Sequence, residues 1–297
     1  MDALEASSER LPRFVRHRFK KLAFQMQPRD LDIIRIVAQS RVISSDDLRL
    51  LVAGSDQAIL RRLQRLFHHG YLDRPRSQRQ FGNAPMVYAL GQRGAEVMAQ
   101  ETGHKPIADW SEKNRQVRTR YLEHALMISR FQTALRYASE ATAAVVVERW
   151  CPDGFIRDTV SLEHGDRRER IPIAPDALFI LQVLDGLRVS RIHCFLEADR
   201  ATMTVPRFVT KLRGYWQYWR SGQAEQRIGA KNFLVVTTTT SQEREQHLLE
   251  AARSVSDRGL RMFLFGPESA YTPAARRAAL AQIWLTPADS DRHSLLE

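Results

Sequence analysis

Cysteine is scarce, and so are the short signatures of the large enzyme classes. Only Cys151 and Cys194 occur in 297 residues. They lack the paired spacing of a zinc site or a disulfide framework, a usage that fits a reducing cytoplasm. No G-x-x-x-x-G-K-[ST] loop, nucleophile elbow or zinc-finger spacing is present, which argues against an ATPase, a serine hydrolase and a finger protein. No apolar run reaches the length of a membrane span, the N-terminus has no signal-peptide core, and no repeat occurs at solenoid spacing. A soluble cytoplasmic chain of two ordinary domains is therefore expected.

What the chain has in excess is positive charge. The formal net charge is +11, and residues 1–100 hold 17 Lys and Arg against 10 Asp and Glu. Such a balance favours a polyanionic partner, because cations that neutralise phosphates release condensed counterions. Residues 1–27 read as a basic N-terminal arm in which Arg10, Arg13, Arg16, Arg18, Lys20 and Lys21 alternate with apolar side chains.

Helical periodicity then begins. Pro28 opens a helix through Gln39, with Leu31, Ile33, Ile34 and Val37 as a buried stripe. Ser44 or Ser45 caps a short helix to Leu51, with Asp47 in the capping-box position. Ser55 or Asp56 caps the next, in which Ile59, Leu60, Leu63, Leu66 and Phe67 form the apolar face and Arg61, Arg62 and Arg65 the opposite one. Gly70 closes that helix. Two short strands, Tyr71–Arg74 and Met86–Leu90, then flank a polar loop carrying Arg76 and Arg79, and a helix from Gly94 to Gln100 follows. Three short helices, the third basic, followed by a hairpin, are the order of a winged helix-turn-helix over residues 28–100. Its expected DNA-contacting residues are Arg61, Arg62, Arg65, Arg74, Arg76 and Arg79.

Residues 101–115 read as a linker, and 116–297 as an α/β domain. A long helix, Val117 to Glu140, contains Glu123 and His124. The expected strands are Ala143–Trp150, Ile171–Val183, Val189–Asp199 and Asn232–Thr239. Helices are expected at Pro206–Arg220 and Ser241–Ser256, with short strands at Met262–Phe265 and Ile283–Leu285. The order is αβββαβ, so the whole chain is expected to be α+β. Asp176 follows Pro175, and Glu197 and Asp199 alternate onto one face of a strand end. If those strands are neighbours, three carboxylates meet. Such a set suits Mg²⁺ or Mn²⁺, hard cations that assist phosphodiester hydrolysis. The aromatic run of Tyr215, Trp216, Tyr218 and Trp219 has helical spacing and reads as core rather than as a base-stacking platform.

Element order, Pro175-Asp176 and Glu197-x-Asp199 resemble the PD-(D/E)xK nuclease superfamily, which sets an Asp on one strand and an acid-x-Lys on the next. Asp199 stands where the motif lysine belongs, and Lys211, one helix on, is the candidate substitute. The resemblance implies a restriction-endonuclease-like fold with Asp176, Glu197, Asp199 and Lys211 as catalytic residues, the three acids also being the metal ligands. Nearly the whole chain also resembles the replication-relaxation family of plasmid and mobile-element proteins. The similar segments are Pro28-Arg29-Asp30-Leu31, Arg61-Arg62-Leu63 through Gly70-Tyr71-Leu72, Tyr88-Ala89-Leu90-Gly91, and His124. They continue at Pro175-Asp176-Ala177, Phe195-Leu196-Glu197-Ala198-Asp199-Arg200, and Lys211-Leu212 with Tyr215. Residues 200–204 read Arg-Ala-Thr-Met-Thr where a Gly-Thr-Glu-like turn is expected. This resemblance implies a bacterial double-stranded DNA-binding protein acting in replication, relaxation or transfer. Its expected partners are replication or transfer proteins of the element or a second copy of itself. The alternatives are a metal-dependent DNA endonuclease and a winged-helix transcriptional regulator.

Overall fold

The computed structural model describes residues 12–16, 24–103, 119–164, 167–256, 260–272 and 275–297. The architecture is mixed α+β, as expected, and the chain divides into two compact units, residues 1–129 and 130–297. Among the described residues no helix is long and apolar enough to cross a membrane. Arg10, Arg18, Lys20 and Lys21 of the expected arm, and the expected linker from residue 104 on, lie outside the described residues.

In the first unit, α1 (Pro28–Ser40) starts at the proline, and the Asp30 carboxylate accepts the Gln27 N–H at 2.8 Å. Strand β1 (Val42–Ser44) leads into α2 (Ser45–Leu51), where Ser44 accepts from the Asp47 N–H and donates its hydroxyl to the Asp47 carboxylate at 2.6 Å. Ser44 thus caps α2 as the spacing predicts, with the Asp47 carboxylate bonded to the cap's hydroxyl. Ser55 caps α3 (Asp56–His68), and Gly70 turns the chain out at φ +82°. Strands β2 (Leu72–Asp73) and β3 (Val87–Leu90) pair antiparallel across a connection that includes a 3₁₀ turn, Arg76–Phe81. α4 (Gln92–Thr102) follows. Strand β1 was not expected. It adds to the far side of β3, giving the order β1-β3-β2. Ile33, Ile34, Leu48, Ile59, Leu63, Leu66, Phe67 and Leu90 fill the core between helices and sheet.

The 22-residue helix α5 (Thr119–Glu140) contains the boundary between the units. The second unit holds a seven-stranded sheet built from β4 (Val145–Pro152), β7 (Ala177–Asp185), β8 (Arg188–Asp199), β9 (Leu234–Thr239), β10 (Phe263–Pro267), β11 (Trp284–Leu285) and β12 (Arg292–His293). Their order is β12-β11-β10-β9-β8-β7-β4, with β8, β9 and β10 parallel and the other pairs antiparallel. The stretch from Pro152 to Arg170, expected as a polar loop with an added hairpin, holds a separate hairpin of β5 (Asp158–His164) with β6 (Arg167–Ile173), whose second strand runs on beyond it. The strand expected over residues 171–183 is thus two strands in two sheets. Pro175 has no N–H to donate to a ladder, and Asp176 turns the chain between them.

The sheet is covered on both faces. Phe131 of α5 meets Trp150, Phe179, Tyr271 and Trp284 on one side. On the other, α6 (Val205–Arg220) and α8 (Gln242–Ala252) pack on Phe195, Val235, Phe263 and Phe265, with the six-residue α7 (Gln223–Ile228) between them in sequence. Gly214 lets α6 close on β6, since a Cβ there would sit 2.7 Å from Ile171 Cγ2. Both cysteines are free thiols buried in this unit.

Candidate functional site

The acidic site is assembled at the C-terminal end of β8. Side chains alternate along the strand, so Phe195, Glu197 and Asp199 share the face covered by α6 and α8, and Phe195 stacks on Tyr215 at 5.6 Å. Asp176, just before β7, is held beside them by two bonds. Its N–H donates to the Leu196 carbonyl at 3.0 Å, and its carboxylate accepts the Ala198 N–H at 2.8 Å. Lys211 and Tyr215 stand one turn apart on α6, and both donate to the Glu197 carboxylate, the lysine to one oxygen and the tyrosine hydroxyl to the other. Asp176, Glu197 and Lys211 therefore do come together.

Asp199 makes a different bond. Its carboxylate is gripped by the Arg244 guanidinium at 2.7 and 3.2 Å, and Arg244 also donates to the Met203 carbonyl at 2.9 Å. Ala201 donates its N–H back to Asp199 at 3.2 Å, in a left-handed turn with φ +55°. Arg244 occupies the first turn of α8, three residues after the Ser241 cap. With Glu197 spent on Lys211 and Tyr215, and Asp199 on Arg244, the acids as placed do not fit a resident Mg²⁺ or Mn²⁺. Among the described residues no three His, Cys, Asp or Glu side chains are arranged to hold a metal ion. Glu123 and His124 belong to the first unit.

The electrostatics are those of a buried charge cluster. Glu197 is 4% exposed, and burial pushes its carboxyl up to about 7, with the Lys211 ammonium and its hydrogen bonds pulling back. Burial works against the Lys211 ammonium as well, but Glu197 and Asp176 hold it above the ordinary lysine value. The Tyr215 hydroxyl is raised by burial and by the adjoining carboxylate, so it stays a donor. Thr237, the register partner of Glu197 on β9, has a buried hydroxyl with no hydrogen-bond partner among the described residues. Beside Lys211 a cavity of about 390 Å³ opens along β6 and α6, with Arg170, Arg207, Thr210 and Lys211 in its wall.

The expected DNA-contacting arginines divide into two groups. Arg61 and Arg65, one turn apart on α3, are exposed, as are Arg76 and Arg79 of the 3₁₀ turn. Arg62 and Arg74 are not. Arg62 is 7% exposed and forms a buried two-pronged ion pair with the fully buried Asp30, its Nε at 2.7 Å, while lying 5.1 Å over the Phe24 ring. Arg74 is 6% exposed, lies 4.2 Å over Phe67 and donates to the Tyr88 hydroxyl at 2.9 Å. Helix phase explains Arg62: it stands three residues after Ile59 and four before Leu66, on the core side. Leu60, expected in the core, faces outward and is 39% exposed. Reading alone missed Arg244 and the Asp30 partner of Arg62. Only the placement of Arg244 just after the Ser241 cap is visible in the sequence.

A family model described as Replication-relaxation matches residues 34–234. No curated protein and no solved structure matches the chain.

Proposed function

From the chain's membership of the replication-relaxation family, whose model matches more than half of it, we propose a double-stranded DNA-binding protein of a bacterial plasmid or mobile element, acting in replication, relaxation or transfer. In this reading residues 28–100 are a winged helix-turn-helix and the second unit is a PD-(D/E)xK-like scaffold retained for binding. One observation carries it. A capped helix exposes Arg61 and Arg65 on one face and is followed directly by a strand pair whose connection exposes Arg76 and Arg79. A recognition helix needs an outward basic face on an apolar back, and a wing needs cations near its tip. The exposed Arg170 and Arg207, in the wall of the cavity along β6 and α6, supply a second phosphate-facing surface.

The test is duplex binding followed by fluorescence anisotropy across a salt series. Arg61→Gln and Arg65→Gln should each weaken binding on every sequence and reduce the salt slope by about 1. Unchanged affinity and slope in both variants would remove α3 from the DNA interface. A metal-dependent endonuclease is the second reading, favoured by the meeting of Asp176, Glu197 and Lys211. It requires Asp199 to exchange Arg244 for a cation, which is why binding without cleavage is preferred.

A further inference from the structure

The aromatic run of α6 does not behave as one block. Tyr215 and Tyr218 are fully buried and serve the core. Trp216 and Trp219, on a neighbouring face of the helix, are half-buried and stacked on each other, with ring centroids 4.9 Å apart and planes 24° from parallel. Both line a cavity of about 430 Å³ whose other apolar walls include Phe233, Met262 and Leu264. That volume lies in the range of small-ligand sites, and an apolar, aromatic lining with few polar groups is their usual character.

The polar groups at this cavity are mostly committed. The Trp219 indole N–H donates to the Asn232 side-chain oxygen at 3.2 Å, which fixes the ring. The Thr286 and Ser294 hydroxyls donate to the Leu260 and Leu280 carbonyls at 3.0 and 2.7 Å. His293 is bound by Asp289 at 2.7 Å and Glu297 at 3.1 Å. Arg261 is the exception: its side chain is 82% exposed, and its ion pair to Asp289 is 4.0 Å long. The cavity thus offers flat hydrophobic faces and one accessible cation, but few hydroxyl or amide donors. A sugar or a hydrogen-bond-rich metabolite would find little to bind. A planar ring with an anionic attachment fits.

We propose that this cavity takes an unpaired nucleobase of single-stranded DNA, stacked against Trp216, with Arg261 meeting the adjoining phosphate. Stacking reads the π-face that every base has, so the site is tolerant of sequence. The proposal rests on the nucleic-acid reading above, and extends it from duplex to single strand: a protein that holds duplex through one unit retains a melted strand through the other.

The experiment measures anisotropy of the full-length protein with a labelled 12-nucleotide oligothymidylate and, in parallel, a blunt 20-base-pair duplex. Trp216→Leu should weaken single-strand binding about tenfold or more while duplex affinity stays unchanged, a single-base stacking loss. Arg261→Gln should lower the single-strand salt slope by about 0.7, one phosphate contact. Trp216→Phe keeps a stacking face and should retain most of the affinity. If Trp216→Leu does not fold, Arg261→Gln decides, because that exposed side chain carries no core packing. Wild-type failure to bind oligothymidylate, or wild-type-like binding by Trp216→Leu and Arg261→Gln, would overturn the proposal. Single-strand binding that both variants lose, in a protein that never binds duplex, would uphold the cavity and refute the duplex reading.

Discussion

Replacing Arg62 with methionine separates two roles that an arginine on a DNA-facing helix can have. Arg62 is 7% exposed and its partner Asp30 is fully buried, so the substitution keeps the bulk of the side chain while stranding a carboxylate in the core. Asp30 retains the Gln27 N–H as a donor, which cannot neutralise its charge. Removing one partner of such a buried pair costs about 3–5 kcal/mol. For a unit of this size that is a fall in melting temperature of about 10 °C or more. Arg62→Met/Asp30→Leu removes both charges and should recover most of the loss, since a well-packed apolar pair is often as stable as the ion pair. The assay is urea denaturation of the single and double variants, with the salt dependence of duplex binding measured on the folded fraction. The salt slope of Arg62→Met should match the wild type, because Arg62 has no access to phosphate. Undiminished stability together with a reduced slope would refute the assignment and return Arg62 to the DNA surface.

Two further outcomes follow from the acidic site. Because the Glu197 carboxyl titrates near 7 when folded, against an ordinary value of 4.5, the folded state binds the extra proton between those values. Stability should then fall as pH rises from about 4.5 to about 7 and level off above. Glu197→Gln should flatten that limb, and an unchanged pH profile would count against the burial of Glu197. Arg244→Met should destabilise the protein by about 3–5 kcal/mol, since it leaves Asp199, 7% exposed, without its cation. Denaturant titration reads this, and a loss below 1 kcal/mol would show that Asp199 finds another partner.

Local signals made much of the fold legible. Pro28, Ser44, Ser55 and Gly70 mark helix ends through chemistry confined to a few residues, and each does so in the structure. Strand alternation placed Glu197 and Asp199 on one face, and the Lys211–Tyr215 spacing put both donors on one side of α6. The failures were tertiary. A three-residue strand such as β1 has no periodicity of its own and exists because β3 offers an edge. Arg62 reads as surface because arginine is usually exposed; only the buried Asp30, 32 residues away in sequence, makes the core position tolerable. Asp199 could be placed on the correct face from sequence, but the arginine that neutralises it comes from a helix 45 residues later. The aromatic run was legible as helical and amphipathic, yet which rings face the core and which line the cavity depends on where β9 and β10 pack.

The most direct measurement is one gel. Supercoiled plasmid is incubated with the protein in Mg²⁺, Mn²⁺ or EDTA, and each sample is split, half loaded native and half deproteinised. The account predicts a native shift in all three conditions, with the deproteinised DNA still supercoiled. Nicked or linear DNA that requires the metal and disappears in Asp176→Ala would contradict it and make the acidic site an active nuclease centre. A plasmid that migrates unshifted under every condition would contradict DNA binding itself.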